Sequence, residues 1–553
     1  GVTIPGTGVE LKKGNIRGED SNGMLCSERE MGLSDEHDGI IDLPEDTPIG
    51  ASFAEVAGLD DPVIDIAITP NRADCLGVRG VARDLAAAGL GTLKPLDDTP
   101  VKGSVKSPIN WRVEVPEQDP PLAPLVVGRY FKGVKNGTSP KWMQDHLRAV
   151  GLRPISALVD ITNYVMMDIG RPLHAYDADV VKGDIFIRLA KPGEKYMALN
   201  DKEYAFDEEM IVIGDDDGVD DLAGIMGGAR TGCSDGTTNM FLEAAIFDQI
   251  TTAATGRKLG IISDARYRFE RGLDQTSPFW GTEVATKLIL EICGGEASDL
   301  VVHGQETGWR RTITLRHSRI EQLCGVAVPE EEAKRILTAL GFEVTGSGEA
   351  IEAVPPPWRG DIDGEADLVE EVVRVFGYDQ IETVSMQRDH VVAHPALTVS
   401  QRRERDTRRI LAGRGMMEAI TFSFLGRKRA EAFGGGAEEL TLVNPISADL
   451  DVMRPSILPN LLDAAVQNAN QGYGDLAMFE VGPQYADATP KGQSTVATGI
   501  RVGTTGPRDW AKASRPSDIF DAKADALALL EALGAPTANL QVSTDAPTWY
   551  HPG

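Results

Sequence analysis

Asp367, Glu370 and Glu371 stand at i, i+3 and i+4 within the run Asp361-Ile362-Asp363-Gly364-Glu365-Ala366-Asp367-Leu368-Val369-Glu370-Glu371. That spacing puts three carboxylates on one face of a helix, and Asp361, just ahead of it, can fold back toward them. An oxygen-only cluster suits Mg²⁺, a hard cation. The same spacing suits a solvated acidic face partly neutralised by Arg374, four residues after Glu370. A second constellation joins Arg171-Pro172-Leu173-His174-Ala175-Tyr176-Asp177 to Gly224-Ile225-Met226-Gly227-Gly228, Glu243 and Ser263-Asp264-Ala265-Arg266. A histidine, a flexible glycine pair, a hydroxyl and an acid set in Met240-Phe241-Leu242-Glu243-Ala244-Ala245-Ile246 could line one pocket. Glu243 either faces solvent or is buried to accept one particular hydrogen bond, and His174 either packs or acts.

The third constellation is basic. Residues 257–271 carry Arg257, Lys258, Arg266, Arg268 and Arg271 against Asp264 and Glu270, and residues 401–414 carry six arginines against Glu404 and Asp406. These are phosphate contacts or ion-paired helix faces. Walker loops, GxSxG elbows and HExxH motifs are absent from the sequence.

The elements that must hold these groups are legible in outline. Short alternating stretches between glycines over 1–45 read as barrel strands, with Asn22-Gly23 as a hairpin turn. Val63-Ile64-Asp65-Ile66-Ala67-Ile68 reads as a strand leading to a helix capped by Asp74 and ending near Gly89. The Pro- and Asp-rich stretch from Pro95 to Pro121 reads as a linker. Helices are expected near 140–150, 281–293, Glu330–Leu340 and Glu365–Phe376, with strands at Thr312–Leu315 and Phe342–Val344 and an arginine-rich helix after His394. Asp215-Asp216-Asp217-Gly218 between two apolar runs reads as a solvated hairpin turn.

The chain has 553 residues and a net charge of −29, with 42% apolar and 25% charged residues. This is a globular balance, long enough for several domains. The acidity argues against indiscriminate polyanion binding but leaves room for local basic contacts with a specific RNA. No apolar run approaches the length of a membrane span. The five cysteines lie no closer than 31 residues apart, which supports neither a disulfide framework nor a zinc knuckle and fits a reducing cytoplasm. The ends, Gly1 and Trp549-Tyr550-His551-Pro552-Gly553, read as those of a piece of a longer polypeptide.

Several motifs together resemble a known family. Gly23-Met24-Leu25-Cys26-Ser27, Ile68-Thr69-Pro70-Asn71-Arg72-Ala73-Asp74-Cys75, Pro172-Leu173-His174-Ala175-Tyr176-Asp177, Gly224-Ile225-Met226-Gly227-Gly228 and Arg268-Phe269-Glu270-Arg271-Gly272 occur in this order. Trp358-Arg359, the acidic run at 361–371, Asn444-Pro445-Ile446-Ser447, Met453-Arg454-Pro455-Ser456 and Phe479-Glu480-Val481-Gly482 follow. The sequence resembles, over essentially its whole length, the β subunit of bacterial phenylalanine–tRNA ligase (phenylalanyl-tRNA synthetase).

The resemblance implies a multi-domain α+β protein: part of a tRNA-binding OB barrel over 1–45 and a small connecting domain over 46–107, then a large α+β editing domain over 108–306. A winged-helix-like domain over 308–385 and a non-catalytic class II synthetase-like antiparallel-sheet domain over 395–553 complete it, with segments missing at both ends. It implies an α₂β₂ assembly whose α subunit activates phenylalanine with ATP, binding of tRNA, and hydrolysis of mischarged tyrosyl-tRNA on this chain. Glu243 would read the tyrosine hydroxyl, while His174 and Ser263 help position the ester or a water. Gly227, Gly228 and Ala265 would leave room for substrate, and Thr162 would line the pocket. Ser263 stands where a threonine is frequent in the family. Asp361, Asp367, Glu370 and Glu371 become expected Mg²⁺ ligands with a structural role. A purely structural RNA-binding and assembly subunit with a vestigial pocket is the alternative.

Overall fold

The computed structural model describes residues 2–386, 395–506, 510–511 and 513–551; positions 507–509, 512 and 552–553 of the expected last domain lie outside the described residues. The chain divides into two units, Gly1–Ser385 and Met386–Gly553.

The first unit is built around two facing sheets. Leu125–Lys132 and Asn239–Ile246 pair antiparallel along their full length at the centre of a five-stranded sheet, flanked by His174–Asp177 on one side and by Glu296–Ala297 and Val301–Gly304 on the other. Because strand side chains alternate between faces, Met240 and Leu242 pack with Phe131, Leu158, Ile161 and Ile289 against the helices Lys141–Ala149, Ala157–Ile169 and Ser277–Ile292. Phe241 and Ala245 point the other way, with Tyr176, onto Trp111, Ile187 and Ile213 of a second, four-stranded sheet. That sheet runs Gly218–Leu222, Ile211–Asp215, Ile185–Leu189, Trp111–Glu114. Covered on both faces, the central strands are apolar along nearly their whole length, which is why the one acid among them matters. The expected hairpin turn is Asp216-Asp217, although Asp215 beside it is buried and accepts from the Lys182 amide at 2.8 Å.

Farther along, Ile313–Arg316, Ala350–Val354 and Glu343–Gly346 form a three-stranded sheet packed on the helices His317–Cys324, Glu330–Ala339 and Glu365–Phe376 through Leu315, Ile336, Ile351, Leu368 and Val372. The Glu365–Phe376 helix starts where Asp367 accepts the Gly364 amide at 2.8 Å and ends at Gly377. The second unit carries a long hairpin, Leu476–Tyr485 with Gln493–Val502, and the helices Val399–Gly413, Leu458–Asn470 and Ile519–Ala532. Among the described residues, no helix is long and apolar enough to cross a membrane.

Four local expectations fail. The expected linker from Pro95 to Pro121 holds the strand Trp111–Glu114, because Ile109 and Trp111 are buried in the core. The first hairpin, Gly14–Ile16 with Glu19–Ser21, turns at Arg17-Gly18 rather than Asn22-Gly23, because the Asn15 side chain accepts from the Gly18 amide at 3.1 Å. Val63–Ile68 is in no strand, since no neighbour among the described residues supplies a hydrogen-bonded ladder, and Val63, Ile64 and Ile66 are exposed. Asp74 caps no helix: Val78–Ala87 is preceded by Gly77, and the Asp74 carboxylate is held at 2.9 Å by Arg72.

Candidate functional site

Glu243 lies midway along Asn239–Ile246, directly opposite His174 on one neighbouring strand and Gly128 on the other. It shares the face of Phe241 and Ala245 and so points into the space between the sheets, where it is 6% exposed. Its Oε2 accepts the Tyr176 phenol at 2.8 Å, while no described residue donates to Oε1. Burial pushes the Glu243 carboxyl up to about 6, with His174 acting against the rise and Asp221 adding to it. Behind it Arg171, fully buried, donates to the Ala245 carbonyl and, at 3.1 Å, to the Ser277 hydroxyl; burial brings its guanidinium down to about 9.

His174 meets Tyr176 edge to face, with ring centroids 4.5 Å apart. Its Nε2 is enclosed without a hydrogen bond and stands 3.6 Å from Asp221 Oδ1, although the side chain as a whole is 23% exposed. Asp221 comes from the facing sheet and accepts the Gly228 amide at 2.7 Å. A register shift between Val219 and Asp221 turns both Asp220 and Asp221 inward. Burial, followed by the charge of Asp221, raises Asp220 to about 7, and Arg230 holds it at 2.6 Å.

The glycine pair serves two purposes. A Cβ on Gly227 would lie 2.4 Å from His174 Cε1, whereas one on Gly228 would lie 1.8 Å from the Asp220 carbonyl oxygen. A ring can move and a backbone carbonyl in a sheet cannot. Gly228→Ala is therefore expected to cost about 1–3 kcal/mol and Gly227→Ala much less, as thermal unfolding of the two variants would show.

Ser263 caps the helix Asp264–Phe269, accepting the Arg266 amide at 3.1 Å while its hydroxyl donates to the Ile225 carbonyl at 2.6 Å. It clamps the glycine loop, so its proton is already committed. Ala265 packs on the core between the sheets. Thr162 donates at 2.8 Å to the Val159 carbonyl of its own helix, and no hydrogen bond joins it to the Glu243 cluster. Sequence reasoning missed Tyr176 and Asp221. Strand alternation gives Tyr176, two residues after His174 on the same face, whereas no sequence signal marks the bulge that turns Asp221 inward.

The expected metal ligands do not form a ligand set in this arrangement. Arg359 grips Asp361 through two bonds of 2.8 Å and also donates to Glu371, which Arg374 holds at 2.8 Å. Burial opposes ionisation of Glu371, yet the hydrogen bonds from Arg374 and Arg359 bring it down to about 2. Asp367 is spent on the helix start and Glu370 is exposed. The three-carboxylate face fails because Leu368, Val369, Val372 and Val373 carry Glu371 inward with them. The network continues through Arg374 to Asp84 at 2.8 Å and from Asp84 to Arg72 and Asp74. Among the described residues only Asp74, Cys75 and Asp84 have ligand atoms close enough together for a metal, and Arg72 hydrogen-bonds all three.

Of the basic runs, Arg266, Arg268, Arg271, Lys258, Arg405, Arg408 and Arg414 have acidic partners. Arg257, Arg402, Arg403 and Arg409 make no ion pair with the described residues.

Three domain families match in succession: the B3/4 domain over residues 122–294, the tRNA synthetase B5 domain over 313–378 and the phenylalanyl tRNA synthetase beta chain CLM domain over 383–553. With the Glu243 cluster between the facing sheets in the first of these matches, they define a chain of the aminoacyl-tRNA synthetase class. The phenylalanine–tRNA ligase β subunits of Rhodospirillum rubrum and Paramagnetospirillum magneticum are 54% and 52% identical over the whole of this chain, which spans 69% of each relative. The chain belongs to the phenylalanine–tRNA ligase β-subunit family. A crystal structure of an N-terminal fragment of the phenylalanyl-tRNA synthetase β subunit from Pyrococcus horikoshii is also similar, at 20% identity and a TM-score of 0.31, covering 56% of this chain and 86% of that one.

Proposed function

We propose that this chain works as a β subunit in an α₂β₂ phenylalanine–tRNA ligase, binds tRNA, and hydrolyses tyrosyl-tRNA in the Glu243 pocket. The supporting observation is a carboxylate 6% exposed in an apolar wall, with one oxygen unclaimed. A phenol donating to Oε1 satisfies it. A bare phenyl ring leaves it unpaired, at a cost of roughly 1–3 kcal/mol and more for a charged group. Such a second site is needed because an apolar pocket discriminates weakly against one added hydroxyl. Tyr176, by holding Oε2, keeps the other oxygen in a fixed direction.

On this reading ATP-dependent charging belongs to the α subunit, and the protein is cytoplasmic. Residues 1–45 are the C-terminal part of a tRNA-binding OB barrel, 46–107 connect it, 108–306 edit, 308–385 are winged-helix-like and 395–553 are a class II synthetase-like domain without catalysis. The three-stranded sheet with three helices over 313–376 and the long antiparallel hairpin of the second unit support the last two. Mg²⁺ at Asp361, Asp367, Glu370 and Glu371 belongs to the same reading only if Arg359 gives up its two carboxylates, and no step of the hydrolysis depends on it.

In the complex reconstituted with an α subunit, Glu243→Ala is expected to slow tyrosyl-tRNA hydrolysis by roughly 10–100-fold, the equivalent of one lost charged hydrogen bond, while phenylalanine charging continues. Hydrolysis at the wild-type rate removes Glu243 from this role. A wild-type complex that clears no tyrosyl-tRNA leaves the structural RNA-binding and assembly subunit as the answer.

A further inference from the structure

We propose that the pocket recognises a hydrogen-bond donor at the far end of the substrate's ring through two acceptors, Glu243 and Asp221, with His174 as a movable cover over the second. The proposal rests on the Glu243 reading above and extends it to a class of substrates: aromatic aminoacyl groups whose para substituent donates.

The polar groups at this end are unequal in kind. The Tyr176 phenol is flanked by both carboxylates, and its proton goes to Glu243 Oε2 at 2.8 Å. The Gly228 amide is taken by Asp221 Oδ1 at 2.7 Å. Both donors are spent, whereas Glu243 Oε1 receives nothing and Asp221 Oδ2 is enclosed with no partner. Buried acceptors without donors are rare in folded proteins, and each needs an explanation. Asp221 Oδ2 is one such acceptor, the open Glu243 Oε1 belongs to the same cluster, and a ligand that brings donors answers both. An oxygen or fluorine that only accepts finds no free donor among these groups except the N–H of the His174 ring, and meets two carboxylates.

His174 lies between Asp221 and the open side. Its Nε2 stands 3.6 Å from Asp221 Oδ1, its side chain is 23% exposed, and no described residue hydrogen-bonds it. Gly227 leaves the ring room, because a Cβ there would lie 2.4 Å from Cε1. A side chain held by packing and by no hydrogen bond can rotate without breaking one. A phenol has one proton to give and satisfies Glu243. An aromatic amine has two and satisfies both carboxylates once the ring has turned.

Binding of four free amino acids to the full chain, by calorimetry at neutral pH, tests this without relying on hydrolysis: L-tyrosine, 4-amino-L-phenylalanine, 4-fluoro-L-phenylalanine and L-phenylalanine. The amine is expected to bind at least as tightly as tyrosine, and both about tenfold or more tighter than the fluoro compound and phenylalanine. Asp221→Asn is expected to weaken the amine more than tyrosine, with thermal unfolding as the check on folding. A fluoro compound that ranks with tyrosine, or an amine that ranks with phenylalanine, overturns the proposal, and neither readout needs a variant. If tyrosine is preferred and the amine is not, the donor rule fails and proofreading stands. If the amine is preferred and tyrosine is not, the donor rule stands and tyrosine proofreading fails.

Discussion

Glu243→Gln is expected to make the chain more stable at neutral pH while weakening its preference for a phenol, since an amide oxygen accepts less strongly than a carboxylate. Burial raises the carboxyl from 4.5 to about 6, so the folded chain binds this proton more tightly than the unfolded chain does. The stabilisation from that proton is complete below about 4.5 and lost as pH rises through about 6. At neutral pH the ionised carboxylate is therefore a burden of about 2 kcal/mol, at roughly 1.36 kcal/mol per unit of pKa. A glutamine of the same shape avoids it, so the variant's advantage in urea unfolding should be near that figure at neutral pH and vanish on acidification. An advantage that does not change with pH would show that packing, not the charge, sets the difference. The trade of stability for selectivity is what a binding carboxylate in an apolar wall requires.

Arg359→Ala is expected to have the largest effect on folding, a loss of roughly 3–5 kcal/mol, because it leaves Asp361 without its counter-charge and Glu371 with Arg374 alone in a buried setting. The same change frees two of the four carboxylates expected to hold Mg²⁺. Unfolding of the wild-type chain should be indifferent to millimolar Mg²⁺, whereas the variant should regain part of its loss when the cation is added. A wild-type chain stabilised by Mg²⁺ as strongly as the variant would mean that Arg359 yields to the ion and that the carboxylates can gather around it after all.

What could be read beforehand follows the range of the interactions. The helix Glu365–Phe376 was legible to its ends, since its apolar stripe and flanking glycines are local signals. The strand around Glu243 was legible as an apolar run. Whether its acid faced water was not, because that depends on a second sheet drawn from residues 111–222. Asp221 was hidden by a bulge that shifts strand alternation. The burial of Glu371 was not legible because Arg359, twelve residues earlier, and Arg374 converge on it only in three dimensions. Asn22-Gly23 carried the stronger turn signal and lost to a side chain, Asn15, that happened to reach Gly18.

The chain of charges running from Asp361 through Arg359, Glu371, Arg374 and Asp84 to Arg72 and Asp74 has a consequence for how the protein can change over generations. Most of its members serve two neighbours, so replacing one strands two, and a simple swap of acid for base between two positions creates a new repulsion with a third. Variation there must arrive in coordinated sets or not at all. Comparisons among relatives should find these positions either all retained or all exchanged together.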